Sequence, residues 1–361
     1  MSAPPDGRWD PADFRERVQL ALDGFLDRQV RLLAPLGPDA ARLLARARAA
    51  VTGGKRFRAA FCYWGHRAIA TPADPAAEDG LIRACAALEL LHASALVHDD
   101  VMDASDTRRG APSAHRAFEA EHREAGWHGG AEQYGAAGAV LLGDLLQAWA
   151  DELLRGCGLP VERVMAALEL FDTTRSEVIA GQFLDVSVQA RGRADVETAM
   201  TVLRYKSAKY SIERPLHIGA ALAGATREDL ADLSAFGLPL GEAFQLRDDL
   251  LGVYGDPATT GKPAGDDLVE GKRTVLVALA LDAASPDDAE TLDHGLGTPL
   301  DEEQVIALRR IITDSGAQAQ VEAAIAELGG IALAALDRAG VDPVARAALA
   351  GLAGAATQRV S

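Results

Sequence analysis

Asp99, Asp100 and Asp103 crowd into five consecutive positions of the stretch HDDVMDASDTRRG (residues 98–110), and Asp106, Arg108 and Arg109 follow at once. On a helix Asp99 and Asp103 stack on one face, with Asp100 turned away by about 100°. Two stacked carboxylates can share a hard cation, and Mg²⁺ prefers a few carboxylates plus phosphate oxygens. The plain alternative is a solvated helix end. It would be the C-terminal end, however, where the helix dipole disfavours carboxylates. A second pair, Asp248 and Asp249 in FQLRDDLLGVYGD, again ends an apolar helical run, with Asp256 beyond. A fold that faces these two helix ends would frame a cavity with carboxylates on both sides.

Basic islands accompany the acidic ones: Lys55, Arg56 and Arg58 in GGKRFR, Arg108 with Arg109, Lys206 with Lys209 in YKSAKY, and Lys262, Lys272 and Arg273 in TGKPAGDDLVEGKRT. The glycines before Lys55 let backbone and cation approach an anion closely. Arginine offers phosphate a bidentate fork, and lysine a point charge. Any one island alone reads as solvated surface charge. Beside two carboxylate clusters they predict sites for two polyanionic groups, one bridged by metal and the other held by cations alone.

The elements that must position these residues read as helices. DAARLLARARAAV and AQVEAAIAELGGIALAAL combine strong helix formers with apolar residues every three or four positions. Alternating strand-like runs have little support, so the expected class is all-α. Hydrophobic residues make up 48% and aromatics only 5% of the 361 residues, which predicts an aliphatic core. The net charge of -17 disfavours nucleic acid and anionic membrane as partners, since both need a basic surface. Cys62, Cys85 and Cys157 are widely spaced in apolar contexts and read as buried thiols of a reducing compartment, not a disulfide framework or zinc site. MSAPPDGRWDPADF lacks a signal-peptide pattern, and no run of 18 residues is apolar and uncharged. The expectation is a soluble cytoplasmic protein.

Along the chain, helices are expected from about 13 to 50, to about 69, and from Leu81 to about Met102, with TPADPAAEDG a loop. Residues 104–135, with EHREAGWHGGAEQYG, read as a polar excursion over the surface. Helical pattern returns at 136–155, 160–190, 195–223 and 227–252, and YGDPATTGKPAGDDLVEGKRT reads as a long functional loop. From Val275 the chain is helical again, broken around SPDDAETLDHGLGTPLD. No linker divides it, so residues 1–361 are expected to form one domain.

In GGKRFR, LLHASALVHDDVMDASDTRRG, GQFLDV, YKSAKYSIERPL, FQLRDDLLGVYGD and TGKPAGDDLVEGKRT, taken in that order across residues 53–274, the sequence resembles the trans-type isoprenyl diphosphate synthases, or polyprenyl synthetases. The resemblance implies a single large bundle of mostly antiparallel helices around a deep central cavity, assembled as a homodimer. It implies head-to-tail condensation of an allylic diphosphate with isopentenyl diphosphate, dependent on about three Mg²⁺ ions, with Mn²⁺ a possible substitute. Carried over residue by residue, Asp99, Asp103 and Asp248 would be the metal ligands, supported by Asp100 and Asp249. Arg108, Lys206, Ser207, Gln245 and Lys262 would hold the allylic diphosphate. Lys55, Arg58, His92 and Arg109 would hold isopentenyl diphosphate. Gln182 and Asp185 match a family position near the metals.

Two departures bear on this. Gly252 stands where many members carry a third Asp, and His98, which precedes Asp99, has no second His-Asp constellation to make it a metal ligand and reads as a helix-end residue. One turn before Asp99 lie Ser94 and Ala95, where members making fifteen-carbon products often carry aromatics. Small residues leave room for a longer chain, so the expected product is the twenty-carbon geranylgeranyl diphosphate, with longer or shorter chains as alternatives. Leu90, Leu91 or Trp149 would form the floor. Ser94 and Ala95 could instead be plain helix-packing residues. A class I terpene cyclase shares the helical bundle but needs no second diphosphate site, so GGKRFR and Arg109 argue against it. A non-catalytic partner subunit is disfavoured by intact motifs at both metal sites.

Overall fold

Asp10 opens the first helix: its side chain accepts the Ala12 N–H at 2.8 Å, just before Pro11. Capping of this kind recurs at Asp74, Thr274, Ser285 and Asp301, the last in a reciprocal capping box with Gln304. A computed structural model describes residues 9–193, 195–255 and 265–358. Its helices are α1 Pro11–Leu33, α2 Pro38–Val51, α3 Phe57–Ile69, α4 Pro75–Met102, α5 Ala114–Glu124, α6 Ala131–Arg155, α7 Val161–Arg191 and α8 Val196–Val202. A π-helical stretch, Leu203–Glu213, then runs into α9 Arg214–Ala223 and α10 Arg227–Tyr254. After them come α11 Asp266–Val269, α12 Val275–Ala283, α13 Pro286–Gly295, α14 Glu302–Asp314, α15 Ala317–Arg338 and α16 Pro343–Thr357. The all-α class is thus observed; the strands among the described residues are a two-residue pair, Thr107–Arg108 with Ala111–Pro112.

Three expectations from the sequence are corrected. α4 begins at Pro75 and not at Leu81, because Asp74 caps it and Pro75 takes the first helical position, where a missing N–H costs nothing. The excursion expected over 104–135 contains α5 and the start of α6. α5 buries Phe118, and its Glu119 is paired with Arg116 at 2.8 Å and Arg123 at 2.5 Å, so a charged sequence still packs. The break expected around 285–301 contains α13, capped by Ser285.

The chain resolves into two compact units. One comprises residues 1–169, 215–226 and 342–348, the other 170–214, 227–341 and 349–361. In the first, α4 is buried on almost every face from Gly80 to Leu91 and packs along α6, α3 and α1. A helix apolar all round belongs at the centre of a core. In the second, Leu246, Leu250 and Val253 of α10 join Leu276, Val277, Val321 and Ile325 in an aliphatic core. Cys62, Cys85 and Cys157 are buried free thiols.

Candidate active site

α4 carries the first carboxylates because of how it ends. Ala104 adopts a left-handed φ of 52°, and the Ser105 N–H closes back on the Asp100 carbonyl at 3.0 Å, a helix stop that usually employs glycine. Asp103 is the last capped residue, its N–H donating to the Asp99 carbonyl at 2.8 Å. Asp99 and Asp103 are therefore one turn apart on the terminal turn, both partly exposed. Asp100 faces inward and is 2% exposed. Its Oδ1 accepts from Arg108 Nε at 2.9 Å and also from Arg108 Nη2, so it orients that guanidinium and leaves the outer face to Asp99 and Asp103.

Arg108 and Arg109, adjacent in sequence, part company on a tight hairpin. Arg108 pairs with Ala111, and Arg109 and Gly110 form the turn with φ of 54° and 75°, which fits the twist of two-residue hairpins. Arg109 reaches the loop before α3, donating to the Thr52 carbonyl at 3.1 Å, with its guanidinium against Gly54. Arg58, Arg108, Arg109 and Arg56 all act on His92. Burial first, and then these cations, hold its imidazole well below the usual range, so it is neutral at physiological pH. His92 and Asp99 lie seven residues apart on one helix face, a rise of roughly 10 Å. One helix thus sets the spacing between a cation-lined and a carboxylate-lined end. Lys55 is exposed on the same loop.

His98 is accounted for within the protein. Its Nε2 lies 3.2 Å from the Val140 carbonyl and 3.4 Å from Asp144, and it rests on Gly143, where a Cβ would come within 2.2 Å of that nitrogen. The helix-end reading of His98 therefore matches its surroundings. Ser94 is buried at 2% exposure and Ala95 is partly exposed; Trp149 is buried edge-on to Phe25, with centroids 6.0 Å apart.

The second set is assembled in the other unit. Lys206 and Ser207 lie on the π-helical stretch, a geometry frequent at functional sites. Lys206 Nζ contacts Asp185 Oδ2 at 2.6 Å, and Lys209 is held by Glu177 at 2.8 Å, which also binds Arg214. Gly181 permits this: a Cβ there would meet the Lys206 backbone N at 2.5 Å. On the last turns of α10, Gln245 Nε2 donates to Asp249 Oδ1 at 2.8 Å, and Asp248 is partly exposed. Burial pushes the Asp249 carboxyl up to about 8; the Gln245 hydrogen bond and Lys272 oppose the rise, while Asp267 and Asp248 add to it. Lys262 and Asp256 lie outside the described residues.

Two features were missed in the sequence. Asp267 lays its carboxylate over Gly252, where a Cβ would stand 1.8 Å from its Oδ2. Lys272, noted only as one of the basic islands, pairs with Asp267 at 3.4 Å and Glu270 at 2.5 Å. The glycine in DDLLG was the available signal for the first.

Among the described residues no three His, Cys, Asp or Glu side chains converge into a ready metal cage. Pairs of carboxylates at helix ends beside cations fit instead an ion that completes its shell with phosphate oxygens and water, as Mg²⁺ does.

A sequence model of the polyprenyl synthetase family matches residues 41–313. The geranylfarnesyl diphosphate synthase of Natronomonas pharaonis is 30% identical over 76% of this chain and 73% of its own. The fold matches that of a geranylgeranyl pyrophosphate synthase from Corynebacterium glutamicum, solved with isoprenyl diphosphate and magnesium, at a TM-score of 0.94 and 40% identity, over 98% of this chain and 100% of that one. A polyprenyl synthase from Caulobacter crescentus, solved with calcium and isoprenyl diphosphate, is 30% identical at a TM-score of 0.74, over 93% and 98%. The chain belongs to the polyprenyl synthetase family and is a prenyltransferase, an isoprenyl diphosphate synthase.

Proposed function

We propose that the enzyme condenses isopentenyl diphosphate with an allylic diphosphate to give geranylgeranyl diphosphate. The observation that carries this is α4, which bears Asp99 and Asp103 at one end and His92, amid Arg58 and Arg109, about 10 Å up the same face. A metal-assisted leaving group and a cation-held nucleophile need two such ends. Asp99, Asp103 and Asp248 would hold about three Mg²⁺ ions, with Mn²⁺ a possible substitute, and the bound metal would neutralise the allylic diphosphate as a leaving group. Asp100 fixes Arg108 and Asp249 fixes Gln245 on that diphosphate, which Lys206, Ser207 and Lys262 also bind. Lys55, Arg58, His92 and Arg109 hold isopentenyl diphosphate; neutral His92 adds a hydrogen bond without a further charge. Departure of diphosphate leaves an allylic cation, the isopentenyl double bond attacks it, and the released diphosphate takes the proton.

Small side chains at Ser94 and Ala95 favour a product beyond fifteen carbons. Residues 1–361 would then act as one domain, a reading supported by the repeated passage of the chain between the two units. Exposed Val140 and Leu141 on α6, and Ile179 and Phe183 on α7, supply apolar surface for a homodimer. A cytoplasmic location belongs to the same proposal; among the described residues two helices, α4 and α15, are long and apolar enough to cross a membrane, and α4 is mostly buried within the protein. No nucleic acid is expected as a partner. Asp99→Ala and Asp248→Ala should each abolish turnover of labelled isopentenyl diphosphate while thermal melting stays cooperative. Full activity in both variants would overturn the ligand assignment.

A further inference from the structure

Arg56 stands between Lys55 and Arg58, yet its charge is spent inside the protein. Its φ of 57° is left-handed, uncommon for a residue other than glycine. Its guanidinium donates to Glu89 Oε2 at 3.1 Å, to Gln19 Oε1 at 2.6 Å and to the Val51 carbonyl at 2.5 Å, so it joins α1, the end of α2 and α4. The side chains of Arg56 and Glu89 are only 3% and 4% exposed. Glu89 Oε1 meanwhile accepts the Ala59 N–H at 3.2 Å. No side chain of the N-cap residue Arg56 caps α3, so Glu89 supplies from α4 an acceptor its first turn lacks. One carboxylate thus pins both the left-handed turn and the start of α3, the two places from which Lys55 and Arg58 extend. Glu89 also precedes His92 by three residues on the same helix face.

A buried ion pair is poor evidence for stability, because desolvation offsets most of its attraction. Its firmer consequence here is geometry, with a balance of charge: Arg56 adds to the cations around both His92 and Arg109, and at Arg109 Glu89 opposes it. We infer that Glu89, acting through Arg56 and the first turn of α3, is a positioning residue for isopentenyl diphosphate and not for the allylic substrate. This rests on the assignment of Lys55, Arg58, His92 and Arg109 made above.

The test measures KM for each substrate in full-length Glu89→Gln, Arg56→Lys and, as reference, Arg58→Ala, with thermal melting alongside. Gln can still accept from Ala59 but leaves Arg56 unbalanced; Lys keeps the charge but loses the fork to Gln19 and Val51. Both are expected to raise KM for isopentenyl diphosphate about tenfold, one charge-assisted contact's worth, and to leave the allylic KM unchanged. A purely architectural role would move both KM values together or neither, and either result overturns the inference if Arg58→Ala raises the isopentenyl KM as expected. If Arg58→Ala leaves that KM unchanged, the site assignment itself fails and the inference falls with it. Should Glu89→Gln not fold, Arg56→Lys is read by the same criteria.

Discussion

Gly181→Ala tests how tightly the allylic end is built. A methyl group at this position would lie 2.5 Å from the Lys206 N, 2.7 Å from the Tyr205 carbonyl carbon and 2.9 Å from the Lys206 Cα. All three are backbone atoms, so no rotamer change relieves the contact. To reach an ordinary 3.4 Å, the π-helical stretch must retreat by about 0.9 Å (3.4 minus 2.5). Applied along the 2.6 Å Lys206–Asp185 contact, that retreat stretches it towards 3.5 Å (2.6 plus 0.9), beyond a charge-assisted hydrogen bond. Overpacking costs about 1–3 kcal/mol, offset by roughly 1 kcal/mol from alanine's better helix propensity. The melting temperature should therefore fall by a few degrees. Misplacing Lys206 should raise the allylic KM about tenfold, since a charge-assisted contact contributes about 1.5–3 kcal/mol, while the isopentenyl KM holds. Steady-state assays varying each substrate in turn separate these effects. A variant with wild-type melting and both KM values unchanged would refute the close-approach argument.

Gly252→Ala should displace the Asp267 carboxylate from a point 1.8 Å from the new Cβ and loosen Lys272, lowering kcat/KM about tenfold. Gly252→Asp should also lower it, and a gain would show that Asp267 has no part in the site. His66 is buried with its imidazole held at about 4, mainly by burial. A base depressed on folding contributes stability above its unfolded value of 6.5, and loses it as the pH falls from there towards 4, by roughly 3 kcal/mol in all. Melting temperature followed over that range should therefore decline less steeply in His66→Gln, and equal slopes would dismiss the cause. Ala95→Phe or Ser94→Phe should shorten the product to fifteen carbons without loss of condensation, read by product sizing beside melting. An unchanged product from a stably folded variant would assign the floor to another helix, with Trp149 the first candidate.

Helix class and the residues with chemistry to offer were legible because they announce themselves locally. Asp99 and Asp103 need only a helical period to share a face, and GGKRFR or DDLLG need only adjacency to stand out. What escaped depended on partners distant in sequence. Nothing near Arg56 says that Glu89, thirty-three residues on, consumes its charge. Gly181 and Gly252 look like helix defects until the backbone of Lys206 and the carboxylate of Asp267 are laid against them. The charged run after Ser113 hid α5 because its buried Glu119 is paired by Arg116 and Arg123 of the same helix, and its Glu121 by Arg42 of α2, charges that composition alone reads as loop.

The most direct test supplies the purified protein with labelled isopentenyl diphosphate and each allylic primer in Mg²⁺, sizes the products, and repeats the reaction in excess chelator. The account predicts incorporation of label into a twenty-carbon diphosphate that ceases when the metal is removed. Full turnover in chelator, or conversion of the allylic primer to a cyclised product without uptake of label, would contradict it.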